Sequence, residues 1–150
     1  MQVHELGHAV LYVRDIERSR HFYGDVLGFP EIDGAAPFPG AVAFSAGRTH
    51  HELLLIGVGA DAAPLPATRR VGLYHLGLKI GTTDAELRDA LAELRAAGVT
   101  IVGASDHTVT HSLYVEDPDG NEIELYIDVQ PEIWRDDPSA VLAPIKPLRI

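Results

Sequence analysis

The chain contains no cysteine, which excludes disulfide cross-links, thiolate nucleophiles and thiolate metal ligands together. Basic residues are also scarce. Twelve Lys and Arg against 22 Asp and Glu give a formal net charge of −10, and no basic cluster exceeds Arg69-Arg70. Such a surface repels a phosphate backbone, so nucleic acid is not expected as a partner. No apolar run approaches a membrane span and the N-terminus lacks a signal-peptide pattern, so a cytoplasmic protein without a membrane partner is expected. One Met and one Trp stand beside eight His, a bias towards imidazole chemistry. The 150 residues, 46% apolar and 23% charged, suffice for one domain with a sizeable core, or for two small modules sharing one.

Patterning favours the second arrangement. Residues 6–13 read as a strand, and Asp15 caps a helix whose apolar positions are Ile16, Phe22, Tyr23, Val26 and Leu27, closed by Gly28. Strands are expected at 29–32, 41–45 and 50–58, the first two separated by a loop at Pro37, Pro39 and Gly40. Residues 59–70, rich in Ala and Pro, lack periodicity and read as a linker.

The order then recurs: a strand at 72–80, a capping box at Thr83 and Glu86, a helix faced by Leu87, Leu91 and Leu94, and strands at 99–102, 109–116 and 122–128. Asp117-Pro118-Asp119-Gly120 marks a tight hairpin between the last two. The expected fold is α+β: two tandem βαβββ modules, 4–59 and 71–128, in a single domain 1–150, forming a cupped, incomplete eight-stranded barrel. A Pro-punctuated tail, 129–150, is expected to wrap the surface or a second subunit, with Trp134 as its anchor.

Three residues stand out against this scaffold. His8 and His75 occupy matched positions in the first strand of each repeat, and Glu124 sits mid-strand, where carboxylates are depleted and where burial without a partner is costly. Each alone reads as a satisfied core histidine or a solvent-facing carboxylate. Together they form a candidate 2-His-1-carboxylate set, the facial triad of Fe(II) or a similar divalent ion, with open coordination positions.

The same residues carry a resemblance. Around His8 the chain follows H-x-x-L-x-V-x-D-x-x-x-S-x-x-F-Y-x-x-x-L-G-F, with Leu11, Val13, Asp15, Ser19, Phe22, Tyr23, Leu27, Gly28 and Phe29. Around His75 and Glu124 it reads Y-H-L-G-L and D-P-D-G-N-x-I-E-L-Y. This resembles the vicinal oxygen chelate superfamily of glyoxalases, bleomycin- and fosfomycin-resistance proteins and extradiol dioxygenases, over about residues 4–135. The resemblance implies that His8, His75 and Glu124 are metal ligands. Within the superfamily the chain is most similar to type I extradiol ring-cleaving dioxygenases. His50-His51-Glu52-Leu53 is similar to their H-H-x-L strand, implying acid–base duty for His51. Ser105-Asp106-His107 is similar to their S-D-H turn, which implies that His107 faces the oxygen pocket, and Tyr114 falls where they place a donor to a substrate oxygen. The implied cofactor is a divalent metal, Fe(II) first, with Mn, Ni or Zn as alternatives. The implied reactants are an aromatic diol and O2, in an oxidoreductase of aromatic catabolism. Many such enzymes carry two pairs of modules and this chain has one, so the resemblance and the apolar Val141-Leu142-Ala143 imply a homodimer.

Three other functions share the scaffold. A glyoxalase- or isomerase-like metalloenzyme would use Glu52 as a fourth ligand. Strand neighbours face opposite sides, so His51 and Glu52 cannot both turn inward from a regular strand. A drug-sequestering protein of the bleomycin-resistance kind suits the acidic charge but dispenses with the triad. Thiol transfer to an epoxide antibiotic shares the triad, yet no basic cluster here suits a phosphonate.

Overall fold

The computed structural model describes residues 1–34, 39–66 and 68–150, which form two compact units, Met1–Leu65 and Pro66–Ile150. Pro37 of the expected first loop and Ala67 of the expected linker lie outside the described residues.

In the first unit, β1 (Ala9–Val13) leads into α1 (Ile16–Arg20), which continues as a π-helical turn, His21–Val26. Asp15 caps α1, its Oδ1 accepting from the amides of Glu17 and Arg18. β2 (Ala41–Phe44) and β3 (Leu53–Gly57) complete a sheet of order β1-β3-β2, in which β1 runs parallel to β3 with Ala9 opposite Leu53. Val13, Phe22, Tyr23, Phe44, Leu53 and Leu55 fill the core of this unit.

The sequence leads one to expect a further strand at 29–32, but only a bridge between Glu31 and Phe44 forms there. Ile32 donates to Ala43 and Ser45 donates to the carbonyl of Pro30; Pro30 has no N–H of its own to continue the ladder. The expected strand at 50–58 opens only at Leu53, because residues 46–52 fold back around the Glu52 carboxylate, which accepts from the amides of Ala46, Arg48 and Thr49.

The second unit holds β4 (His75–Gly81), α2 (Asp84–Ala96), β5 (Ile101–Asp106), β6 (Thr110–Glu116) and β7 (Glu122–Asp128). The tail adds α3 (Pro131–Asp136), a 3-10 turn (Pro138–Leu142) and the two-residue β8 (Lys146–Pro147). The sheet order is β4-β7-β6-β5-β8, with β4 and β7 parallel. The Thr83–Glu86 capping box is present at the start of α2. β4 begins at His75 rather than at residue 72, where its partner β7 begins directly opposite at Glu122. β5 lies further along the chain than the expected 99–102 because the ladder shifts register between Ile101 and Gly103. Gly103 sits at a bulge, and the strand runs on to Asp106.

The turn after β6 closes as its sequence requires. Gly120 takes φ +84°, a left-handed value that suits glycine, and the Asp117 carboxylate accepts from the amides of Asp119 and Asn121. The two faces of β7 then divide the labour. Ile123, Leu125 and Ile127 are buried with Leu113, Val115 and the Leu87, Leu91, Leu94 face of α2. Truncating one such core residue to Ala typically costs about 2–5 kcal/mol. Glu122, Glu124 and Tyr126 occupy the other face and are half-buried. No helix among the described residues is long and apolar enough to cross a membrane.

Candidate functional site

Among the described residues, those singled out in the sequence gather in one cluster in each unit. In the second unit the parallel β4–β7 ladder sets His75 opposite Glu122 and Gly77 opposite Glu124. His75 thereby lies between two carboxylates, with Nε2 3.2 Å from Glu124 Oε2 and Nδ1 3.4 Å from Glu122 Oε1. β6 brings Tyr114 directly opposite Glu124. Glu124 Oε1 accepts from the Ser112 hydroxyl at 2.7 Å and from the Tyr114 hydroxyl at 3.2 Å.

His107 reaches the same group from the β5–β6 turn. Its amide donates to Thr110, and the Asp106 carboxylate accepts from the amide of Thr108, which is held at φ +73°. Positive φ at a β-branched residue is a strained conformation, maintained here by its surroundings. The His107 ring thus arrives with Nε2 2.7 Å from the Tyr114 hydroxyl. Because Tyr114 donates to Glu124, this spacing makes the His107 N–H the donor to Tyr114. Burial and the adjacent Glu124 push the Tyr114 hydroxyl up to about 12, so it stays protonated.

In the first unit, parallel pairing of Ala9 with Leu53 puts His8 beside the 50–52 segment, where the amide of Ala9 donates to Glu52. His8, His50 and His51 gather there, each offering a ring nitrogen within 4.8 Å of the others. The His8 and His51 ring centroids are 4.3 Å apart. His51 Nε2 is enclosed and makes no hydrogen bond. Burial, reinforced by His8 and His50, lowers the pKa of His51 and keeps it neutral near pH 7. Glu52 behaves oppositely: burial pushes its carboxyl up, but hydrogen bonds from residues 45–49 outweigh that and hold it below the usual carboxylate range.

Four of the six residues singled out in sequence, His75, His107, Tyr114 and Glu124, therefore meet within the second unit, and the other two, His8 and His51, meet within the first. The donor chemistry suits a divalent ion. Two ligands on one ion with bonds of about 2.0–2.2 Å stand roughly 3 Å apart, the separation found between His75 Nε2 and Glu124 Oε2. Glu124 Oε1 is occupied by hydroxyl donors, which leaves Oε2 as the oxygen turned towards the imidazole. Glu122 stands where a carboxylate commonly fixes a metal-binding histidine's ring, although its Oε1 and His75 Nδ1 are both enclosed and make no hydrogen bond to each other. Neither Glu122 nor Ser112 was identified from the sequence, although the parity of Glu122, Glu124 and Tyr126 places Glu122 on the ligand's face. His50 stands out in the sequence only as part of the His50-His51-Glu52-Leu53 motif.

Residues 5–125 match the model of the Glyoxalase/Bleomycin resistance protein/Dioxygenase superfamily. A catechol-2,3-dioxygenase of Bacillus subtilis is 36% identical over 138 residues, covering 90% of this chain and 46% of that protein. Biphenyl-2,3-diol 1,2-dioxygenase 3 of Rhodococcus globerulus is 32% identical over 123 residues, covering 82% of this chain and 63% of that protein. The chain thus spans about half to two thirds of the length of these relatives. The crystal structure of a glyoxalase/dioxygenase from Nostoc punctiforme superposes with a TM-score of 0.72 at 23% identity, covering 84% of this chain and 92% of that one, a likeness of fold.

Proposed function

This chain belongs to the glyoxalase/bleomycin resistance protein/dioxygenase superfamily, and we propose that within it the protein is an extradiol dioxygenase, opening a catechol-type ring with O2 beside the diol. His8, His75 and Glu124 would hold the divalent metal, Fe(II), with modules 4–59 and 71–128 working as one domain. The observation that carries this reading is the group gathered on Glu124: an imidazole at Oε2, and at Oε1 a tyrosine hydroxyl backed by a second histidine. Two relatives named for cleavage of aromatic diols support it.

Bound there, Fe(II) supplies a path for electrons from the ring to dioxygen. The chain's own residues supply proton traffic and charge stabilisation. His51, neutral and with a free Nε2, is suited to accept the proton that a diol loses when its second oxygen becomes anionic. Tyr114, protonated throughout the physiological range, and His107 behind it are suited to donate to negative charge building on reacting oxygens. Overall, one diol and one O2 would give one ring-opened hydroxymuconic-semialdehyde-type product that keeps both oxygen atoms. Glu52 favours this over an isomerase with a fourth carboxylate ligand, because its oxygens are already taken by three backbone amides.

The test is anaerobic loading with Fe(II), then catechol, 3-methylcatechol or 2,3-dihydroxybiphenyl in air. A yellow ring-opened product is the expected outcome. Turnover of the hemithioacetal of glutathione and methylglyoxal, without any yellow product, would transfer the chain to the isomerase class.

A further inference from the structure

We propose that the C-terminal tail builds the ring-binding wall of this site, with Trp134 and Val141 restricting it to single-ring diols. The inference rests on the ring-cleavage reading above. It starts from a cleft of about 270 Å³ in the second unit. Glu124 lies at the cleft, Val109 and Tyr126 of the sheet side line it, and Trp134 and Val141 of the tail face it. An apolar cavity of about 150 Å³ accommodates one benzene, and drug-sized ligands occupy roughly 300–1,000 Å³. The observed volume suits one ring with two hydroxyls and a small substituent, and because the cleft is open to solvent, discrimination against a second ring falls to the Trp134 and Val141 side chains.

The lining suits an uncharged aromatic. Asp128, at the cleft, is engaged by Lys79 Nζ and so does not present a free carboxylate to a cationic ligand. Gly77 keeps the ground over the carboxylate clear: a Cβ there would lie 3.5 Å from Glu124 Oε2 and 3.6 Å from the Tyr126 ring. Any longer side chain would cover both.

The tail is anchored well enough to act as a wall. Val129 donates to Val109 where the tail leaves β7, and near its other end β8 pairs with β5, setting Lys146 opposite Asp106. Between these points the Arg135 guanidinium rests over the Trp134 indole at 5.2 Å, which steadies the ring.

Trp134 is the one tryptophan in the chain, so its emission reports on the cleft directly. Fe(II)-loaded protein kept anaerobic should show saturable quenching by catechol, with 2,3-dihydroxybiphenyl binding about tenfold more weakly. In air, Trp134→Ala should raise KM for catechol about tenfold with kcat nearly unchanged, and should narrow the preference for catechol over the biphenyl diol. Val141→Phe, at an exposed position, should raise KM for 3-methylcatechol more than for catechol. Emission unmoved by saturating catechol, or unaltered selectivity in both variants while ring cleavage proceeds, would overturn the tail's role and leave the dioxygenase reading standing. Quenching by catechol without any ring cleavage would do the reverse.

Discussion

The two histidine clusters differ in how their atoms are committed. Around Glu124 both carboxylate oxygens are engaged, Ser112 and Tyr114 on one, His75 facing the other and His107 behind Tyr114, while His75 Nδ1 and Glu122 Oε1 face each other without a hydrogen bond. The 8/50/51 cluster consists of imidazoles packed on one another, with the neighbouring carboxylate of Glu52 turned away into its own loop. One region is a preorganised acceptor set, with its ligand oxygen selected by hydrogen bonds. The other holds His51, neutral and with an Nε2 that makes no hydrogen bond. Charge stabilisation benefits from the first arrangement, and proton transfer from the second, because a base must be free to take up a proton.

Removing the central member of the organised cluster gives the largest effect. His75→Ala should abolish uptake of Fe(II) or Zn(II), measured by metal analysis after dialysis, while far-UV circular dichroism stays close to wild type. Full metal content in that variant would remove His75 from the ligand set. Tyr114→Phe should leave metal content unchanged and lower kcat about a hundredfold; an unchanged kcat would reduce Tyr114 to a structural prop for Glu124. The smallest effect lies in the other unit. Because the folded pKa of Glu52 is depressed, its stabilisation is present above the unfolded value of about 4.3 and is lost as pH falls through the folded value. Glu52→Gln should therefore lower the melting midpoint at pH 7, and the gap from wild type should shrink in acid. A gap independent of pH would mean that shape rather than charge holds the 46–52 loop.

Much of this was legible in the sequence where the local pattern was strong. The 122–128 strand, the Asp117–Gly120 turn and the Thr83–Glu86 box appear where expected, because alternation, turn chemistry and capping each act over a few residues. The errors came where distant atoms decide. Nothing local in His50-His51-Glu52 says that the Glu52 carboxylate will collect amides from 46–49 and delay β3 to Leu53. Gly103 hid a bulge, and Pro30 thinned a strand to a bridge. Glu124 was recognisable as an anomaly in its strand, whereas Ser112 and Glu122 gain their meaning only from cross-strand register.

The two-residue β8 has a consequence beyond the cleft. It covers the end of β5, which would otherwise present unpaired amides and carbonyls as a template for another chain, and Pro147 cannot donate a further rung to that ladder. Cutting the tail before Lys146 would thus bare a sticky margin on the sheet while loosening the segment that carries Trp134. Colloidal behaviour and ring preference would then decline together, although no atom of either depends on the other.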